Sequence, residues 1–352
     1  MDEARDIVLV SLPFAAGVAL AQFTAIPLFH FSLALVASLM LLALGEVLRG
    51  RALYGVLFLA LGMLCGEASS FAALGMTGGG VFRRALERTD AIIRAIPFPH
   101  GGTSELLRAL LTGQRDGLSR DTVAAFRAAG ASHILALSGL HLGIIYLLLS
   151  KLLAIFGNWR IAAVARSIII VAVAAFYTLM TGAAPSTVRA LLFICINELM
   201  RHSPGRRKSP LAVWCCALML QLIISPWQIR SVGFQLSYLA MLGIFLVFPW
   251  LNDFYPGDGS GLRPVRRVWS SMALSLACQL FTAPLVWLRF GTFPKYFLLT
   301  NLLALPFTSL LMFAAVPLLL LGFAGLSPRW LVNITDSLAE LLQGCLVIIA
   351  QM

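Results

Sequence analysis

A serine and a histidine, Ser138 and His141, lie three residues apart in the stretch ASHILALSGLHLGIIY, and together they could act as a nucleophile and its general base. One helical turn brings side chains at this spacing together. Hydrolysis by such a pair would also need an acidic residue to orient the histidine and a GxSxG turn around the serine. The surrounding sequence offers neither. We therefore predict that the chain is not an enzyme, and intramembrane hydrolysis by this pair stays as the weaker alternative.

Metal and cofactor chemistry finds equally little support in the sequence. His133 and His141 have no third ligand near them, so they make a weak metal site. The six cysteines lie in apolar runs without CxxC spacing, which predicts neither a zinc site nor a disulfide framework. No GxxxxGK[ST] loop is present, so any energy-driven movement would depend on another protein. We expect no metal and no cofactor.

The apolar run around the serine and histidine decides how they are interpreted. It extends over 131–156, long enough to cross a bilayer, and polar side chains at that depth are costly unless they face other helices or water. Gly139 and Gly143 form a GxxxG pair that allows close helix packing. The stretch predicts an inner helix with a polar stripe. The alternative is a packing notch whose histidines bond to backbone carbonyls.

The composition excludes an ordinary soluble domain. Of 352 residues, 60% are hydrophobic and 12% are charged, so we predict an all-α polytopic integral membrane protein. Hydropathy gives about eleven transmembrane helices with one broken or re-entrant segment. The predicted spans are 7–24, 28–46, 52–70, 131–156, 160–181, 185–200, 210–225, 230–250, 268–289, 303–324 and 331–351.

Lysine and arginine positions predict the orientation. The formal net charge is +11, and most clusters fall on one side of the predicted topology, which is then cytoplasmic. The N-terminus is expected inside and the C-terminus outside.

We predict three regions: a three-helix membrane region at 1–70, an outer connector at 71–130, and a membrane domain at 131–352. The connector contains one arginine-rich helix expected on the membrane surface and two short amphipathic helices, with Ser119 as an N-cap.

Four basic residues lie at span ends where this topology gives no reason for them. They are Arg189, Arg230, Arg289 and Lys295, and they predict a basic outer mouth. Arg189 closely follows Pro185, which is typical of a helix start, and an arginine beside free backbone N–H groups suits a phosphate. The alternative is that each arginine reaches out to lipid headgroups.

Polar residues occur inside two other apolar segments. Gln235, Ser237 and Tyr238 lie within a predicted span, where each polar group needs a partner. Asn301 and Pro306 belong to RFGTFPKYFLLTNLLALPF, which we predict to be the broken or re-entrant segment. Broken backbone at membrane depth is tolerated only when protein covers it or water fills the space beside it.

Four ordered blocks resemble the membrane domain of ComEC-type competence proteins. They are ALLTGQRDGLSRDTVAAFRAAGASHILALSGLHLGI, TGAAPSTVRALLF, SPWQIRSVGFQLSYLAMLGI and TNLLALPF. The resemblance covers the chain from about residue 100 to its end. The motif positions that correspond are Gly113, Gly117, Leu118, His133, Ser138, Gly139, His141, Arg189, Gly233, Gln235, Ser237 and Asn301.

The resemblance implies a bacterial inner-membrane channel that admits single-stranded DNA during natural transformation. It implies a path lined by His133, Ser138, Gly139, His141, Arg189, Gln235, Ser237 and Asn301. The implied partners are a cytoplasmic ATP-driven motor, outer DNA-capture proteins and membrane lipid, with a homo-oligomer left open. The family's outer OB-like and metallo-β-lactamase-like domains have no counterpart in this sequence, so we expect a channel-only member, a truncated product or a relative with another cargo. The alternative function is transport of a small anionic solute.

Overall fold

The computed structural model describes residues 2–23, 80–157, 160–201, 209–255, 263–291, 293 and 295–352. Within those ranges the chain is helical and contains no strand, which confirms the all-α class. The predicted spans at 28–46 and 52–70 lie outside the described residues. The described α-helices are α1 (Asp2–Phe23), α2 (Gly80–Ala95), α3 (Thr103–Thr112), α4 (Arg120–Ala128), α5 (Ser132–Leu135), α6 (Gly139–Leu153), α7 (Arg160–Met180), α8 (Pro185–Arg201), α9 (Pro210–Ile224), α10 (Val232–Leu246), α11 (Phe248–Asp253), α12 (Arg263–Phe290), α13 (Phe297–Phe323) and α14 (Arg329–Ala350).

Four of the described helices contain segments long and apolar enough to cross a membrane. These segments are Ala162–Met180, Pro264–Phe290, Phe297–Phe323 and Arg329–Ala350. Helices α6, α9 and α10 are apolar but only 15 residues long. A helix of that length extends about 22 Å, which is less than the roughly 30 Å hydrocarbon core. The helices indicate a membrane protein, whereas the predicted eleven spans are not confirmed.

The described residues fall into two compact units, which divide the chain differently from the three predicted regions. In the first unit, α1 packs with chain from Leu192 to Phe245. Its core contains Phe14 and Val18 of α1, Trp214 of α9, and Phe234 of α10. Aromatic and branched side chains of three helices therefore form one apolar centre.

The second unit contains the chain from Gly78 to Leu191 and from Leu246 to the end. Helices α13 and α14 form an antiparallel hairpin, and the hydroxyl of Tyr296 before α13 donates to the carbonyl of Met352 after α14 at 2.8 Å. The leucines of α3 form one face, which is buried in a cluster with residues of both hairpin helices, among them Leu311 and Leu342. Because Thr103, Arg108 and Thr112 are buried too, α3 is a core helix of this unit.

The contacts of helix α2 do not fit the predicted alternation of crossings. Thr89 of α2 contacts Met180 at the end of α7, with 3.9 Å between Oγ1 and Sδ. Three residues later, Ile92 packs closely against Gly322 at the end of α13. The predicted topology places Met180 outside and Gly322 inside. Three residues of helix cover only about 4.5 Å, so these ends cannot lie at opposite faces of a roughly 30 Å core.

The local predictions for this part of the chain have mixed outcomes. Ser119 caps α4 as predicted, since its Oγ accepts from the backbone N–H of Thr122 at 3.0 Å. The predicted broken segment is instead interrupted only between α12 and α13, where Gly291 has a φ of +64°. Helix α13 continues through Asn301 and Pro306, because a proline in a long helix removes only a local hydrogen bond.

Candidate functional site

The predicted span at 131–156 is wrong as a single helix, because the chain breaks between α5 and α6. Ser138 has an extended conformation and caps α6, with its Oγ accepting from the N–H of Leu140 at 3.2 Å. The Nδ1 atom of His141 accepts from the backbone N–H of Ser138 at 3.2 Å. Ser138 and His141, whose spacing suggested a nucleophile and a base, therefore form a capping box instead. It lies at a helix start inside an apolar run.

His141 also presents a polar atom that has no hydrogen-bond partner among the described residues. Its side chain is completely buried, and because Nδ1 accepts from Ser138, the ring proton lies on Nε2, which is unpaired. The Oδ1 atom of Asn301 on α13 is also buried and unpaired. Helices α6 and α13 are in contact, and buried polar atoms normally have partners. These two atoms mark polar positions within the second unit that water or a ligand could satisfy.

A second helix begins beside this break. Gly182 and Ala183 both have positive φ, +82° and +50°, which is strained for alanine, and α8 then starts at Pro185. The hydroxyl of Ser186 donates to the carbonyl of Leu137 at 2.6 Å, which joins the start of α8 to the break before α6. The tight turn therefore sets one helix N-terminus against another.

Arg189 lies at this junction. Its Nη2 atom is 3.5 Å from the position that a Cβ on Gly139 would occupy, so the glycine allows the guanidinium to approach the first turn of α6. Arg189 also interacts electrostatically with Cys278, which lies near the middle of α12. The sequence placed Arg189 at the outer end of a span. The structure instead places it beside the first turn of α6 and within electrostatic range of the middle of α12.

The remaining predicted site residues lie in several places. In the first unit, the amide of Gln235 donates to the carbonyl of Ile229 at 2.7 Å, Ser237 lies on the same helix, and Arg230 ends a short 3₁₀ helix. In the second unit, His133 contacts the carbonyl of Gly130 at 3.1 Å. Arg289 is in the last turn of α12 and Lys295 lies just before α13, so both lie where α12 ends and α13 begins. The assignment of these residues to a DNA path, or of the basic ones to an outer mouth, stays a prediction.

Sequence reasoning missed a cluster around His100 and Asp336. The buried carboxylate of Asp336 on α14 lies 2.5 Å from Nδ1 of His100 and accepts from the hydroxyl of Thr103 at 2.7 Å. Glu340 lies 3.5 Å from Nε2 of the same histidine. The pair is 236 positions apart, so only the lone aspartate within an apolar helix signalled it. The described residues contain no group of three metal-ligating side chains.

The stability of this contact is expected to depend on pH. The hydrogen bond to Asp336, and then the charges of Glu340 and Asp336, raise the pKa of His100 above its ordinary 6.5. A raised folded pKa means that the stabilisation is complete below 6.5 and is lost as the pH rises through the folded value. We expect the melting temperature to fall over that window in the wild type and less in His100→Gln. Equal pH profiles for the two proteins would contradict this prediction.

Comparison with known proteins places the chain in a family. A family model described as Competence protein matches residues 110–352. The chain belongs to the Competence protein family. The matched region includes the break before α6, the strained turn before α8 and Arg189. No solved structure is significantly similar to this Competence family member.

Three curated relatives are similar to part of this Competence family member. ComE operon protein 3 of Bacillus subtilis is 28% identical over 57% of this chain and 24% of its own length. Competence protein ComA of Neisseria gonorrhoeae is 29% identical over 63% and 31%. Recombination protein 2 of Haemophilus influenzae is 28% identical over 68% and 31%. The chain therefore matches about a quarter to a third of the length of each relative.

Proposed function

We propose that this protein forms part of a path for single-stranded DNA through the bacterial inner membrane during natural transformation. Membership of the Competence protein family supports a role in competence and DNA uptake. The observation that carries the channel proposal is the position of Arg189 beside the start of α6 and near the middle of α12. An arginine at membrane depth is costly and indicates function by default.

The chemistry of this junction suits a phosphodiester. The helix dipole places partial positive charge at a helix start. Several first-turn N–H groups are already paired here, because Ser138 accepts that of Leu140 and the carbonyl of Ala184 accepts those of Thr187 and Val188. The guanidinium is therefore the main hydrogen-bond donor to a phosphate at this junction. At the junction, the N-terminal turns of α6 and α8 meet beside a guanidinium, whose planar fork matches two phosphate oxygens. Interrupted helices whose N-termini face an anionic substrate are a recurring device of membrane transport.

The proposal includes partners that the sequence led us to expect. Passage of a strand in one direction needs an energy source, which we assign to a separate cytoplasmic ATP-driven motor. Outer DNA-capture proteins would deliver the strand. The chain itself contributes the path and the phosphate contacts, and we assign it no chemical step on DNA.

The test is DNA entry in a strain that lacks the gene. Labelled DNA should still bind the cells and become protected outside the cytoplasm, but it should not reach the cytoplasm, and the 352-residue chain should restore entry. Unchanged entry in the deletion strain would refute the proposal. If the strain instead takes up DNA normally but loses uptake of an anionic solute, the protein is a solute transporter.

A further inference from the structure

A basic cavity lies where the short helix α11 meets the start of α12. Its volume is about 370 Å³, and it is lined by Asn252, Arg266, Arg267 and Ser270. Both arginines are exposed, and neither belongs to any of the ion pairs found within the described part of the chain. The cavity therefore combines two guanidinium groups with a side-chain amide and a hydroxyl, all of which can donate hydrogen bonds to an anion.

Exposed apolar and aromatic side chains lie on the same two helices as the cavity. Trp250 and Phe254 are each two residues from Asn252, so they occupy the other face of α11 from the side chain that lines the cavity. Trp250 and Phe254 on the α11 side are 67% and 69% exposed, and Val265 on α12 is 49% exposed. The indole N–H of Trp269 donates to the carbonyl of Leu251 at 3.1 Å and so fixes α11 against α12. Large aromatic residues beside arginines are typical of the layer where a membrane protein meets lipid headgroups.

The helix that carries the arginines is covered along little of its length by the rest of the described chain. Only 17% of the apolar segment of α12 is buried within the protein, the smallest share among the four long apolar helices described. Arg266 and Arg267 lie in the first turns of this helix, where its apolar part begins. The cavity therefore lies at the end of a little-covered apolar surface, where a helix that crosses a membrane would enter the headgroup layer.

We propose that this cavity binds the phosphate headgroup of an anionic phospholipid. The arginine forks pair with phosphate oxygens, Ser270 and Asn252 donate to the remaining oxygens, and the acyl chains cover the exposed apolar surface of α12 that begins beside the arginines. A nucleic acid strand would also pair with the arginines, but it would leave that apolar surface of α12 uncovered. A lipid covers both the charge and the apolar surface, so it is the better fit.

The test is lipid binding by the purified full chain in a neutral detergent, measured by native mass spectrometry during titration with phosphatidylglycerol or phosphatidylcholine. Arg266→Gln and Arg267→Gln are each expected to weaken phosphatidylglycerol binding about fivefold, since an arginine near an anionic surface contributes about 1 kcal/mol. Phosphatidylcholine should bind weakly to every variant. Unchanged melting temperatures will show that the variants are folded.

Arg329→Gln is the matched control. Arg329 is an exposed arginine in the first turn of α14, next to Trp330, which is 64% exposed, and it lies at the same end of the α12–α13–α14 succession. It has the charge and the aromatic neighbour but not the cavity, so its phosphatidylglycerol affinity should match the wild type. Equal losses in all three variants would overturn the site. Displacement of phosphatidylglycerol by oligothymidylate, with tighter binding of the oligonucleotide at Arg266 and Arg267, would overturn the lipid assignment.

Discussion

Replacement of Arg189 by alanine is expected to reduce transformation about ten- to hundredfold while the protein still folds and enters the membrane. Hydrogen bonds to a charged group contribute about 1.5–3 kcal/mol each, and loss of one such contact at a step that limits strand entry gives a rate effect of that size. The guanidinium lies beside Gly139 and within electrostatic range of Cys278, which is near the middle of the long apolar helix α12. The measurement is transformant frequency in the deletion strain that carries each variant, at matched protein levels.

Two further variants distinguish a phosphate contact from a structural role. Arg189→Lys keeps the charge but loses the planar fork, so we expect partial recovery. Arg120→Ala removes an exposed arginine at the start of α4 and should transform like the wild type. If Arg189→Ala transforms normally, the guanidinium has no part in DNA passage. If Arg189→Lys is as defective as alanine and both variants lose membrane expression, Arg189 is structural.

The sequence predicted most of the long helices but not the depth at which the functional residues lie. Hydropathy located α7, α12, α13 and α14 well, because long apolar runs report burial or lipid contact directly. It joined α5 and α6 into one span, since average hydropathy does not respond to a break of three residues. Ser138 was the available signal, because serine before a glycine and an apolar run is a typical N-cap.

The packing of the short helices was the least predictable feature, and α3 shows why. Its sequence, TSELLRALLT, has the amphipathic pattern of a short surface helix, yet eight of its ten residues are buried. The polar side is covered because Arg108 pairs with Asp90 and Thr103 with Asp336. These partners are distant in sequence, so they leave no periodic signal near α3. A helix whose polar face is buried therefore has the same sequence pattern as a helix whose polar face is solvated.

The pair of Asp90 and Arg108 gives the largest expected effect on stability. The side chain of Arg108 is 8% exposed, and its guanidinium donates to Asp90 on α2 and to the side chain of Gln114 at 3.1 Å. Asp90→Ala leaves a buried cation with only a neutral partner, and removal of one member of a buried ion pair costs roughly 3–5 kcal/mol. We expect a marked fall in the melting temperature of the detergent-solubilised protein.

A matched control lies on the same helix. Glu87 pairs with Arg83 at 2.9 Å, but both side chains are mostly exposed, 58% and 81%, so Glu87→Ala should cost less than about 1 kcal/mol. The double variant Asp90→Ala with Arg108→Met removes the stranded charge and should recover much of the lost stability, because an apolar side chain of similar length can fill the site. If Glu87→Ala and Asp90→Ala destabilise equally, burial of the ion pair does not hold α2 against α3. If the double variant is less stable than Asp90→Ala, the aliphatic part of Arg108 contributes more to that packing than its charge does.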